Sequence, residues 1–186
     1  MRLVLLAFAL ALLAWLPAAA QARSGERPRD VERRAELERE VLQELNRVRS
    51  ARGLTPLRVA AGLRAAAFAH SETMVVEGFF SHTRPDGTPF HERIRRFYTR
   101  RGWSSWSVGE TLYAASGTQH ARAIVASWLA SPPHREIILA PGWRDAGIGV
   151  AYRSSAPGVF GGRETLVVTA AFGIRESRVP VARLNS

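Results

Sequence analysis

Five His, 16 Asp and Glu, and no Cys or Lys set the chemistry open to this chain of 186 residues. Without Cys there is no disulfide framework, no thiolate zinc site and no cysteine nucleophile. All 26 basic residues are Arg, which excludes a Schiff-base lysine and the lysine-dependent phosphate loop. Imidazole and carboxylate remain: they suit acid–base work, divalent-ion ligation, or networks that satisfy buried polar groups. Three tempting patterns fail. In His91-Glu92-Arg93-Ile94-Arg95, Arg95 stands where the zinc-protease helix needs its second His. Gly147-Ile148-Gly149 opens a strand rather than a helix, so it is no dinucleotide fingerprint. Residues 93–101 hold five Arg around Phe97 and Tyr98; a solvated helix face with snorkelling stems accounts for them.

The elements that must position these groups follow from periodicity. Leu37, Val41, Leu45 and Val48 form one stripe and predict a helix over residues 31–52, with Gly53 beyond its end. Leu63, Ala66, Ala67, His70 and Met74 predict a second helix over residues 59–77 and put His70 on its apolar edge. Pro85-Asp86-Gly87 is a turn signal, followed by a short helix over residues 90–98. Residues 100–117, rich in Gly and Ser, read as loop with one short strand near Ser107. Ala121, Ile124, Val125, Trp128 and Leu129 predict a helix over residues 118–130 capped by Thr118 and stopped by Pro132-Pro133. Alternation predicts strands over residues 147–152 and 166–172, joined as a wide hairpin. Trp128 is expected in the core, and His91 and His120 in solvent. Trp103 and Trp106 either rim a lipid or glycan site or anchor their loop. Helices first and a hairpin last argue for an α+β layered domain.

Arg2 followed by an apolar run over residues 3–16 and Ala20-Gln21-Ala22 reads as a signal peptide over residues 1–22, cleaved after Ala22. The run spans only ~21 Å as helix, short of a ~30 Å hydrocarbon core, and no later stretch is apolar enough to span a bilayer. Residues 23–36 read as a flexible lead-in and helix start, 37–175 as the domain, and 176–186 as a polar tail. The product is expected to be secreted or periplasmic, which counts against nucleic acid as a partner. A formal charge of +10 draws anionic partners without specifying a fold.

Three segments are specific in combination: Gly78-Phe79-Phe80-Ser81-His82, then Val108-Gly109-Glu110, then Trp128-Leu129-Ala130-Ser131-Pro132-Pro133-His134-Arg135. Together with Ala69-His70-Ser71, the Asp86-Gly87 turn and Gly147-Ile148-Gly149-Val150, they resemble the CAP superfamily. The nearest likeness is to the bacterial SCP-like extracellular proteins, cysteine-free relatives of the sperm-coating, venom-allergen and pathogenesis-related proteins. The resemblance covers residues 42–172. It implies an α-β-α sandwich with a central, mostly antiparallel sheet, and a cleft lined by His82, Glu110 and His134. There are departures: Thr111 replaces the usual Asn after the cleft Glu, Pro133 a common Gly, and Ile137 a frequent Asn. Ala130 and Ser131 occupy the helix end where many relatives carry a second cleft Glu.

Two imidazoles and a carboxylate converging in a cleft could hold zinc or another divalent cation with a position left for water, and so hydrolyse. Without metal they could act as acid and base, or simply fix two loops to the sheet. Ser81 and Ser131 neighbour the two His in sequence, a weak basis for a Ser–His hydrolase. The favoured expectation is an exported ligand-binding module for a lipid or envelope component, with or without a divalent ion. A metal-dependent, peptidase-like hydrolase on His82, Glu110 and His134 is the alternative. An Arg-driven binder of polyanions or anionic membranes is the third.

Overall fold

The computed structural model describes residues 30–177; the expected signal peptide and most of the expected tail lie outside them. A five-stranded sheet forms the middle layer. Its strands are β1 (Val31–Arg33), β2 (Arg58–Val59), β3 (Ser105–Ala115), β4 (Asp145–Ala156) and β5 (Arg163–Glu176). The order is β1-β4-β5-β3, antiparallel throughout, with β2 added in parallel to β4. The helices are α1 (Ala35–Ser50), α2 (Ala61–Glu77), α3 (Phe90–Arg95), α4 (Ala121–Ala130) and α5 (Pro132–Leu139).

Strict alternation divides the sheet between two cores. Ala146, Ile148 and Val150 of β4 and Leu166, Val168, Ala170 and Phe172 of β5 are buried with α1, α4 and α5. Ala151, Val167 and Ala171 point the other way, to residues of α2 and α3. This is the period of two of a pleated strand buried on both sides, and it gives the expected α-β-α sandwich. The helical stripes are where the spacing puts them: Val41, Leu45, Leu63, Met74 and Ile124 are fully buried, and Trp128 lies in the core. Glu36 and Glu38 in the first turn of α1 and Arg47 and Arg49 in its last suit the helix dipole.

The two glycines of the rejected dinucleotide pattern have a packing role. A β-carbon on Gly147 or Gly149 would overlap the α2 backbone at Arg64 or Phe68, so α2 lies directly on β4. Arg49, fully buried in α1, fastens the opposite layer. Its guanidinium donates to Thr55 O at 3.1 Å, Ile138 O at 2.6 Å and Ala140 O at 3.0 Å, capping the carbonyl end of α5 with a cation.

Four local expectations need correction. Residues 105–115 form a full-length strand, not a loop with a short strand, because β5 supplies a continuous register from Ser105↔Glu176 to Ala115↔Leu166. Tertiary pairing here overrides the weak strand propensity of Gly, Ser and Ala. Val31–Arg33 pairs with β4 instead of beginning α1. The α4 helix starts at Ala121 with His120 as its cap residue; Gln119, bonded to Tyr113 and to Ser116 O, holds the preceding segment out of the helix. The prolines that stop α4 also start α5, occupying its first positions, where no N–H is needed.

Candidate functional site

Glu110 lies on β3 opposite Ala171, so its side chain faces the α2 and α3 layer. It is 2% exposed. A buried carboxylate demands partners, and two supply them. His82 Nδ1 lies 3.0 Å from Oε1; because a carboxylate accepts, Nδ1 carries a proton. The His82 side chain is 46% exposed, so the ring is reachable from solvent. Arg93 Nη2 donates to Oε1 at 3.0 Å and to Oε2 at 2.7 Å, and also reaches His82 O at 3.4 Å.

Arg93 is itself buried, and its Nε and Nη1 find no partner among the described residues. Burial lowers the pKa of the guanidinium, and Glu110 opposes that shift. Beneath it lies His70, fully buried. Its Nε2 is 2.9 Å from Ser81 O, which can only accept, so Nε2 holds the proton and Nδ1 is left without a partner. This bond fixes the carbonyl immediately before His82. The same Nε2 is 4.0 Å from Glu110 Oε1. Burial pushes the His70 pKa down to about 4 against the pull of Glu110, so His70 is a neutral wedge at ordinary pH.

His134 arrives from the first turn of α5, in the opposite layer, and is partly buried. Burial lowers its pKa, and His82 adds to the shift. The His134 ring makes no hydrogen bond among the described residues. Thr111, fully buried, leaves its hydroxyl without a partner. Ser81 Oγ accepts the Thr83 N–H at 3.2 Å rather than meeting an imidazole. Trp106 lies in β3 and ties the strand to the segment after α3 by donating to Tyr98 O at 2.8 Å, and His91 and His120 face solvent.

The donor set does not fit a three-ligand metal centre. Both Glu110 oxygens are engaged by Arg93, and among the described residues no group of three His, Asp or Glu side chains is spaced to hold an ion. In place of the zinc or other divalent set expected on His82, Glu110 and His134, the carboxylate serves as the orienting partner of His82. The residue missed from sequence is Arg93. It was set aside within a basic run, yet its spacing from Phe90 and Ile94 puts it on the inward side of α3, the signal that distinguishes it from Arg95 and Arg96.

The profile of the cysteine-rich secretory protein family, CAP, matches residues 42–169. The uncharacterized protein YkwD of Bacillus subtilis is 32% identical over 113 residues, 60% of this chain and 41% of the relative; the chain thus spans under half the length of that curated relative. An extracellular SCP-domain protein of Bacillus anthracis aligns with a TM-score of 0.55 at 23% identity, over 74% of this chain and 40% of that one. An outer surface protein of Borrelia burgdorferi aligns with a TM-score of 0.60 at 20% identity, over 76% of this chain and 95% of that one. These two structures speak for the sandwich alone. The profile spans most of the chain and takes in both β3 and α5, so this protein belongs to the CAP, or cysteine-rich secretory protein, family.

Proposed function

We propose that this chain is an exported ligand-binding module whose His82–His134 cleft takes a polar ligand group, from a lipid or another envelope component, by hydrogen bonding. The carrying observation is the orientation of His82. Glu110 holds Nδ1–H from behind, Arg93 neutralises Glu110, and Nε2 is left without a hydrogen-bond partner among the described residues on a half-exposed ring. Such an arrangement presets one ring nitrogen toward a ligand hydroxyl or amide. Burial keeps His134 in the form that offers one donor and one acceptor. The printed descriptions of the two structural relatives, extracellular and outer-surface, agree with an export signal at the N-terminus.

Mass spectrometry of solvent extracts tests this reading. The purified protein is expected to retain species that the H82A/H134A double variant lacks; identical extracts would overturn it. Calorimetric titration with zinc chloride addresses the hydrolase alternative. Weak heats, equal in the parent and the double variant, are expected. Stoichiometric zinc uptake lost in the double variant would mean that Glu110 exchanges Arg93 for metal, and would favour the hydrolase.

A further inference from the structure

The basic run that the cleft does not use forms a surface of its own. Its only buried Arg is Arg93; Arg95, Arg96, Arg100 and Arg101 are exposed around the end of α3 and the turn that follows. Two large apolar side chains stand exposed among them, Phe97 at 46% and Trp103 at 37%. The backbone beneath is fixed, because Ile94 and Tyr98 on either side of Phe97 are 0% and 1% exposed. Trp103 is held as well: the Arg175 guanidinium lies 4.7 Å from its ring centre and 3.9 Å from that of Tyr98. Nearby acids do little to offset the charge. Glu176 is bonded to Ser105 at 2.9 Å, Asp86 is tied to Thr88 at 2.8 Å while feeling Arg96, and Glu92 lies in the first turn of α3. None of the four exposed Arg forms an ion pair among the described residues.

We infer that this patch is a peripheral docking surface for a bilayer rich in anionic phospholipid. Unpaired guanidinium groups supply long-range attraction and bidentate contacts to phosphate. A preset Trp and a Phe are the side chains that settle at the boundary of headgroup and acyl chain. Charge complementarity alone would serve any polyanion. The exposed Phe97, an apolar aromatic ring with no hydrogen-bonding group, favours a surface it can enter. The patch is independent of the cleft reading: α3 turns Arg93 inward to Glu110 and Arg95 and Arg96 outward, so one helix joins the cleft wall to the docking face.

The test uses the full-length gene product recovered in its exported form and sedimented with vesicles of phosphatidylglycerol and phosphatidylcholine, or of phosphatidylcholine alone. Affinity for the anionic vesicles is expected to be tenfold higher or more, and to fall as salt rises. Each Arg near an anionic surface is worth about fivefold in binding. The R95Q/R96Q/R100Q/R101Q variant should therefore lose about a hundredfold or more. A charge-matched set on the opposite layer, R39Q/R52Q/R122Q/R135Q, controls for net charge. The patch set must lose at least tenfold more than the control set; any smaller difference overturns the proposal. Brominated phosphatidylcholine in the anionic vesicles should quench tryptophan emission in the parent, and that component should vanish in W103F. Unchanged quenching in W103F would also overturn it. So would binding of duplex DNA through the same four Arg with no binding to vesicles, which would assign the patch to nucleic acid.

Discussion

Glu38 with Arg33 and Glu110 with Arg93 are the same chemical pair in two places. Both carboxylates are buried, 5% and 2% exposed. Glu38 is fully served: Arg33 grips it through Nε at 2.8 Å and Nη2 at 2.7 Å, and the Val150 N–H donates at 3.1 Å. Its guanidinium reaches solvent and rests over the Phe68 ring. At Glu110 a single Arg93 nitrogen spans both oxygens, the other two guanidinium nitrogens go unpaired, and the remaining hydrogen bond goes to a half-exposed ring. The first pair ties β1 and α1 to β4 and is complete. The second is left short of partners, and its purpose lies in what it holds, His82. Buried polar groups left partly unsatisfied mark the place where the fold gives up stability for a site.

Substitutions can break this contrast. Arg93→Ala strands the Glu110 charge in the interior and should cost about 3–5 kcal/mol in urea unfolding. Adding Glu110→Gln should recover much of that, and a purely additive double variant would deny the pairing. Next is a pH effect from His70. Its folded-state pKa of about 4 lies below the ordinary 6.5, so the unfolded chain takes the proton first. Stability should be complete above pH about 6.5 and fall by roughly 3 kcal/mol as the pH drops toward 4. His70→Gln should flatten that slope. Glu38→Ala should cost about 2 kcal/mol, less than the loss at Arg93, because Arg33 regains water while only the Val150 amide stays unpaired. The smallest effect is at His82. His82→Ala removes one hydrogen bond from a carboxylate that Arg93 still holds and should cost about 1 kcal/mol, while abolishing ligand retention. A large loss of stability there would make His82 a strut and not a contact.

Much of this was legible in the chain, and the remainder has physical reasons. The stripes of α1, α2 and α4 and the β4–β5 alternation are local patterns, and each is buried on its expected face. His82 and Glu110 meet because motifs far apart in sequence were matched together, something no periodicity could show. Strand β3 is longer than the short strand expected near Ser107 because its length comes from pairing with β5 and not from its own residues. Arg93 was hidden by its neighbours: in a run of five Arg, the one facing inward differs only in phase. His70 was placed at the edge of the core, whereas it lies beneath the site and sets the carbonyl that precedes His82.

The bond between Arg49 and the carbonyl end of α5 bears on the proposed site. It bolts the short helix that carries His134 to the long helix α1, while His82 is braced from the other side of the sheet. On the proposed reading, the space between the imidazoles is a calliper cut into the scaffold, not a pair of jaws, and tight binders should share one thickness whatever their length.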